Sequence, residues 1–386
     1  MKISSINVRS IQNTNRREII YHALKQTDAD IICLQECTIP YANSYKYLES
    51  GWDEGKAFFS GTNKSRSAGI GIIVKGSHLK IKNYEEIIKG RVANLEVITE
   101  DRQETNIINV YAPTDKQERC DVLEKLNILL LRQKRKVVVG DFNCVIDEVG
   151  GRRPDKSAKL LKTIIKEHQL KDTYREVNKI DKGYTWTGGR GEKKSRIDMI
   201  LTSTEATVIS FRIQPVFFSD HQLITAEIKE GRTIQRGKGY WKLNITLLED
   251  KEIKAKYERK YKEWTSLKDA CPNQIEWWDI VKEKTKAFFQ IEGKKKKHQQ
   301  TQELKKLQQQ LEEYYKIENA GIGMGSEIQE GKRKIEEYYR EEEKKIKFHS
   351  RVKEMEEGER CTSFFFKKIK EKKNKTQLKE IKTSGT

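Results

Sequence analysis

The first 230 residues alternate short apolar runs with stretches of helical spacing, a rhythm that few architectures can absorb. Runs of β type occur at INVRS, ADIICLQE, GIGIIV, ANLEVIT, NIINVYAP, VVVGDFN, YTWT, SRIDMILTS, SFRIQPVF and LITAEIK. Helical patterns separate them near Arg16 to Gln26, Gln117 to Arg132 and Ala158 to His168. Many strands against few helices predict an α/β fold of two sheets packed together with helices outside. The runs are short and bounded by Gly, Pro, Asn or Asp, so their far ends fall at loops, where polar residues gather over a rigid sheet edge. Asn7, Glu36, Tyr111, Asp141, Asn143, Asp198, Asp220 and His221 stand at such ends.

After GRTIQRGKGYWKLNITLLED the character changes to long Lys, Glu and Gln stretches with Leu304, Leu307 and Leu311 at helical spacing. Two units are expected: residues 1–230, and a basic helical region at 231–386 that is open to coiled-coil packing. Charge marks the same join. The first part holds 38 Lys and Arg against 31 Asp and Glu; the second, though shorter, holds 39 against 27. GIGMGS (Gly321 to Ser326) reads as a break between helices. The tracts at Lys294 to Lys297 and Lys367 to Lys375 read equally as solvated helix faces and as contacts to phosphates.

A net charge of +19 draws the chain to polyanions, of which nucleic acid is the commonest. No run approaches the ~18 apolar residues of a spanning helix, and MKISSINVRS lacks the apolar core of a signal sequence. An intracellular protein, nuclear or cytoplasmic, without membrane attachment and not secreted, is expected. The six cysteines have no CxxC spacing and no neighbouring histidines, which argues for reduced thiols over zinc or disulfides.

Several strand ends carry groups suited to phosphodiester hydrolysis, which needs a cation for the phosphate, a base for water and donors for the developing charge. Glu36 closes ADIICLQE, where a hard-oxygen site for Mg²⁺ can form. In GDFN, an apolar run delivers Asp141 and Asn143 two apart, on one side of an extended chain, to hold and deprotonate a water. The plainer reading of GDFN is a turn. Asp220 and His221 in SDHQL point apart and serve different partners, and Asp198 in SRIDMIL is available to fix the tautomer and charge of His221.

INVRS, LQE, NVYAP, GDFN, SRID and SDH, in this order, resemble the endonuclease/exonuclease/phosphatase superfamily that includes exonuclease III and the abasic-site endonucleases. The resemblance implies a four-layered α/β sandwich, two facing mixed sheets flanked by helices, here with a C-terminal helical extension. It implies that Glu36 ligates the metal (Mg²⁺, with Mn²⁺ as the alternative), that Asp220 assists the metal or the leaving group, and that Asn7 and Asn143 orient substrate and water. Asp141 becomes the base, Tyr111 holds the phosphate, and Asp198 supports His221, which contacts the scissile phosphate. Thr185 and Ser219 match supporting polar positions on the substrate side. Repair enzymes of this kind carry an acid two residues after the first Asn; here Arg9 stands there and favours phosphate binding over metal ligation.

The segment from GKGYWKLNITLLED to EEGERCTSFFFKKIK resembles the region between endonuclease and reverse transcriptase in LINE polyproteins. Such endonucleases nick duplex DNA and leave a 3′ hydroxyl and 5′ phosphate, choosing sites through a hairpin at the minor groove. That hairpin corresponds to TGGRGEKKSR, where Arg190, Lys193 and Lys194 can meet phosphates or a narrow A·T-rich groove. Trp186 reads as core. RNA is a further candidate partner for the basic C-terminal helices, beside DNA or a partner helix. Two alternatives stand beside this reading: a catalytically inactive nucleic-acid-binding remnant, and an abasic-site repair endonuclease or exonuclease III-like enzyme.

Overall fold

Two six-stranded sheets lie face to face. The computed structural model describes residues 1–44, 46, 52–63, 68–76, 78–99, 102–132, 135–146, 154–188, 193–229, 243, 247–266, 268 and 273–357, side chains excepted at 297, 300 and 344–357. The first sheet runs β13 (Thr207–Gln214), β14 (Leu223–Lys229), β1 (Lys2–Asn7), β2 (Ile31–Gln35), β4 (Ile70–Val74) and β3 (Lys56–Ser60). The second runs β5 (Lys80–Ile88), β6 (Val92–Ile98), β7 (Glu104–Tyr111), β8 (Lys136–Asp141), β12 (Asp198–Ser203) and β9 (Leu170–Asp172). A separate hairpin joins β10 (Trp186–Gly188) to β11 (Lys193–Ser195).

Each sheet is mixed because each contains one crossover. Helix α1 (Thr14–Lys25) links β1 to β2 and α2 (Lys116–Leu131) links β7 to β8; both pairs are parallel, and the other neighbours are antiparallel. Asn13 caps α1 by accepting from the Arg16 N–H, and Asp115 caps α2 through the Gln117 and Glu118 N–H groups. Asp155 caps α3 (Lys156–Glu167) in the same way through Ala158, and Asp172 caps the short α4 (Thr173–Val177) through the Tyr174 N–H.

Alternation along the strands assigns the layers. In β2, Ile31 and Cys33 face the second sheet while Ile32 and Leu34 face α1; in β8, Val137 and Val139 face the first sheet while Val138 faces α2 and α3. Both faces of these strands are covered, which is why their sequences read as continuous apolar runs. The four layers are therefore α1, first sheet, second sheet, and α2 with α3.

A buried polar bridge ties the sheets together. The Gln35 amide donates to Asn109 Oδ1 (2.8 Å) and Ser5 Oγ (3.0 Å), and the Asn109 amide donates to the Leu34 and Gly71 carbonyls (3.0 and 2.9 Å). These side chains lie one or two residues before the strand ends that carry Asn7, Glu36 and Tyr111, so the bridge fixes the height of one sheet edge against the other.

Beyond the sandwich, α5 (Lys251–Ser266), α6 (Gln274–Asn319) and α7 (Gly325–Glu357) form the extension, with the expected break at Gly321, φ +98°. Leu304, Leu311 and Tyr315 of α6 pack with Ile328, Ile335 and Tyr339 of α7, and Ile19 of α1 completes the cluster. Tyr339 also stacks on Phe217 and donates to Gln26. The helical hairpin is thus seated on the sandwich. In the lysine tract, Lys295 pairs with Glu292 and Lys296 with Asp250. The boundary expected at 230, Arg190, and the tract at 367–375 lie outside the described residues. Among the described residues, Cys33, Cys37, Cys120 and Cys144 are buried free thiols, and no helix is long and apolar enough to cross a membrane.

Candidate active site

The two parallel pairs end at the same edge of the sandwich, and register aligns what they carry. Asn7 lies opposite Gln35, Tyr111 opposite Asp141, and Asp198 opposite Asp141, because β12 starts where β8 stops. Gly140 lets β8 come this close: its φ is +144°, and a Cβ there would stand 1.9 Å from the Val110 carbonyl oxygen.

Asn7 is the junction of the site. Its amide donates to Glu36 Oε2 (3.1 Å) and to Asp141 Oδ2 (3.0 Å), while its own Oδ1 accepts from the Arg9 N–H (3.1 Å). The other Asp141 oxygen accepts from the Asn143 N–H at 2.9 Å. Across the edge, His221 Nδ1 lies 3.0 Å from Asp198 Oδ2, and its Nε2 lies 3.9 Å from Asp141 Oδ2. That second distance exceeds a hydrogen bond, so Nε2 faces Asp141 without being bound to it. Glu36, Arg9 and Asn143 all take left-handed backbone, φ +53°, +47° and +49°. Such residues cost about 1–3 kcal/mol each and persist where surrounding structure dictates the conformation.

The electrostatics follow from burial and pairing. Burial, then the like charge of Asp198, push the Asp141 carboxyl up to about 7, against the pull of His221 and of the Asn7 and Asn143 hydrogen bonds. Burial alone would strip His221 of its proton; the facing Asp198, with Asp141 and Asp220 behind it, outweighs that and lifts the imidazole to about 9. His221 is therefore an imidazolium at neutral pH, with its Nε2–H free to donate.

Asp141, Asp198 and His221 bring ligand atoms within 4.8 Å of one another. Within this group, however, Asp198 is engaged by the His221 ring through Nδ1. Oxygen donors suited to a hard divalent cation lie on the other side of Asp141, at Glu36 and Asn7. Asp220 adds a buried Oδ1 with no hydrogen-bond partner among the described residues. The half-buried Glu36 carboxylate beside the Asn7 side chain is an oxygen donor of the kind that Mg²⁺ or Mn²⁺ takes, although among the described residues it forms no tight cluster with Asp141 and Asp220.

The model of the endonuclease/exonuclease/phosphatase family matches residues 4–221, more than half of the chain. The chain belongs to the endonuclease/exonuclease/phosphatase family. It is similar to the transposon TX1 uncharacterized 149 kDa protein of Xenopus laevis, 26% identical over 297 residues; that covers 73% of this chain but 22% of the relative. The whole relative is thus far longer. Among solved structures, the catalytic domain of Xenopus laevis APE2 superposes with a TM-score of 0.50 at 21% identity, covering 59% of this chain and 92% of that one. The Neisseria 3′ phosphatase NExo gives a TM-score of 0.46 at 20% identity, covering 60% and 100%.

Within this family fold, Asn7, Glu36, Tyr111, Asp141, Asn143, Asp198, Asp220 and His221 gather at one edge, yet several contacts differ from those expected. Asp141 and Asn143 are not neighbours on an extended chain: β8 ends at Asp141, Asn143 turns into left-handed backbone, and its amide donates to the Ala112 carbonyl (2.9 Å). The plainer reading of GDFN as a turn therefore holds at Asn143. Glu36 and Asp220 have separate partners, Asn7 for one, Trp186 (3.1 Å) and Arg9 (3.5 Å) for the other. Thr185 and Ser219 are buried and engaged with backbone. Thr185 Oγ1 accepts from the Ile197 and Asp198 N–H groups. Ser219 donates to the Asn7 carbonyl and accepts from the His221 N–H. Lys193 is exposed, whereas the Lys194 ammonium donates to the Glu318 carbonyl on α6 (2.8 Å).

Two contributors, Arg91 and Arg16, escaped the sequence reading, and a third, Trp186, was read there as core. Arg91 lays its guanidinium 4.7 Å above the Tyr111 ring. Arg16, inside α1, donates to the Val8, Ser10 and Phe218 carbonyls and so joins two site loops. Trp186 is half-buried, not core, and anchors Asp220. Only Trp186 gave a signal, its place beside the hairpin glycines; the two arginines reach the site from neighbouring elements that no local motif marks.

Proposed function

We propose that this chain is a divalent-metal-dependent endonuclease that nicks duplex DNA for retrotransposon insertion, leaving a 3′ hydroxyl and a 5′ phosphate. The observation that carries the reading is the placement of Asp141 and the Asp198-held His221 on either side of one gap. Family membership and the transposon-encoded relative support the same reading. A divalent cation held by Glu36, with Asn7 beside it, would supply neutralisation of the phosphate charge.

The chain's own residues perform the rest. Asp141, poised near neutrality, accepts the proton of a water whose oxygen adds to phosphorus while the P–O3′ bond breaks with its electron pair on O3′, which takes a proton from solvent and leaves as the hydroxyl. Asn7 orients Asp141. The His221 Nε2–H donates to the phosphate as its charge grows, and Asp198 keeps that ring protonated and aimed. Tyr111, braced by Arg91, and Arg9 border the phosphate. Lys193 belongs to the hairpin that meets the groove.

Nicking of supercoiled plasmid in Mg²⁺ and in EDTA tests this. Wild type is expected to nick only with metal and to leave ends that prime a polymerase, and Asp141→Asn to lose on the order of 10³-fold while still binding DNA. A folded wild type that binds but never nicks would favour the inactive remnant. The specific observation on that side is Arg9, whose guanidinium approaches Asp220. Cutting of an abasic duplex far faster than intact DNA would instead favour a repair enzyme.

A further inference from the structure

The loop Phe218 to His221 is held by cations from two helices outside its own sheet. From α1, Arg16 donates to the Phe218 carbonyl (2.6 Å); from α7, the Lys332 ammonium donates to the next carbonyl, that of Ser219 (2.7 Å). The Ser219 carbonyl belongs to the peptide that leads into Asp220 and His221, and the Ser219 hydroxyl already links Asn7 to the His221 N–H. One residue therefore takes a bond from the extension on one side and ties the site together on the other.

Lys332 is an unfavourable choice if it serves only packing. Its ammonium stands 5.7 Å from the Tyr315 ring centroid, and burial pushes it down to about 8 despite the opposing pull of Asp220. Gly331 beside it leaves room for Leu311, so α6 and α7 close tightly at this level and set the reach of the side chain. A neutral side chain of similar length would fill the space without the desolvation penalty. What it would lose is the bond to the loop.

We infer that Lys332, on the helical extension, is a positioning residue of the nuclease that fixes the Ser219–His221 loop in its reactive alignment. This rests on the endonuclease reading above. It makes α7 part of the site's support, through a contact remote in sequence from every family motif.

The experiment uses the full chain. Steady-state nicking is measured for wild type, Lys332→Met, Lys332→Arg, and Arg333→Met as a control on the same helix, together with amide hydrogen exchange over the peptide covering residues 217–222. Lys332→Met is expected to lower kcat about tenfold, by misaligning the loop, with KM within about twofold. Exchange over the loop should quicken, Lys332→Arg should recover part of kcat, and Arg333→Met should match wild type. Should Lys332→Met not fold, Lys332→Gln takes its place. Unchanged kcat and unchanged exchange in a folded Lys332→Met would overturn the inference, as would a loss confined to KM. A wild type that does not nick, but whose loop exchanges faster in Lys332→Met, would keep the positioning role and sink the endonuclease reading instead.

Discussion

At the residue scale, the charges of the site make a testable prediction about pH. Asp141 and His221 both bind protons more tightly in the folded chain than their ordinary values allow. For Asp141, raised to about 7 from 3.8, ionisation weakens the fold, so stability falls as pH climbs between those values. For His221, raised to about 9 from 6.5, the pairing with Asp198 contributes in full below 6.5 and is lost as pH rises through about 9. Thermal unfolding in EDTA should therefore show Tm declining from weakly acidic to alkaline pH. Asp141→Asn should flatten the acidic part of that decline and raise Tm near pH 8, because it removes a buried like charge beside Asp198. A Tm that rises steadily across this window would refute the assignment of both protons. Added Mg²⁺ should raise Tm of the wild type more than that of Glu36→Gln, which lacks the carboxylate proposed to hold the cation.

At the element scale, the site depends on how closely β8 approaches β7. Gly140→Ala is expected to disrupt this, because a Cβ there would overlap the Val110 carbonyl and φ +144° suits only glycine. A loss of roughly 3 kcal/mol or more in denaturant unfolding, or failure to fold, is anticipated; a neutral substitution would mean the strand pair can shift apart. The same strands explain what the sequence disclosed. Fully covered strands are apolar throughout, so their ends are sharp, and Asn7, Glu36, Asp141, Asp198 and His221 could be located by that edge. What was hidden is lateral. The two-residue spacing of Asp141 and Asn143 says nothing of the turn between them, and the fate of Lys194 depends on a helix end at Glu318 far along the chain. Arg91 and Arg16 act across elements, where only three-dimensional proximity pairs them with Tyr111 and Phe218.

At the scale of the whole molecule, the helical hairpin and the sandwich share one apolar seam built from Ile19, Leu311, Ile335 and Tyr339. Leu311 is fully buried there, and Leu311→Ala should destabilise by about 2–5 kcal/mol. If the seam couples the two parts, unfolding of that variant stays a single transition at lower denaturant; two separate transitions would show that hairpin and sandwich unfold independently. The seam also orders events in time. Ser219 and Lys332 are 113 residues apart, so a growing chain emerges from the ribosome with its sandwich strands complete well before the lysine that steadies their reactive loop. On the positioning role proposed for Lys332, an unfinished chain would thus be a poor nuclease, and competence would arrive only with the later helices, after synthesis has passed well beyond the family's own motifs.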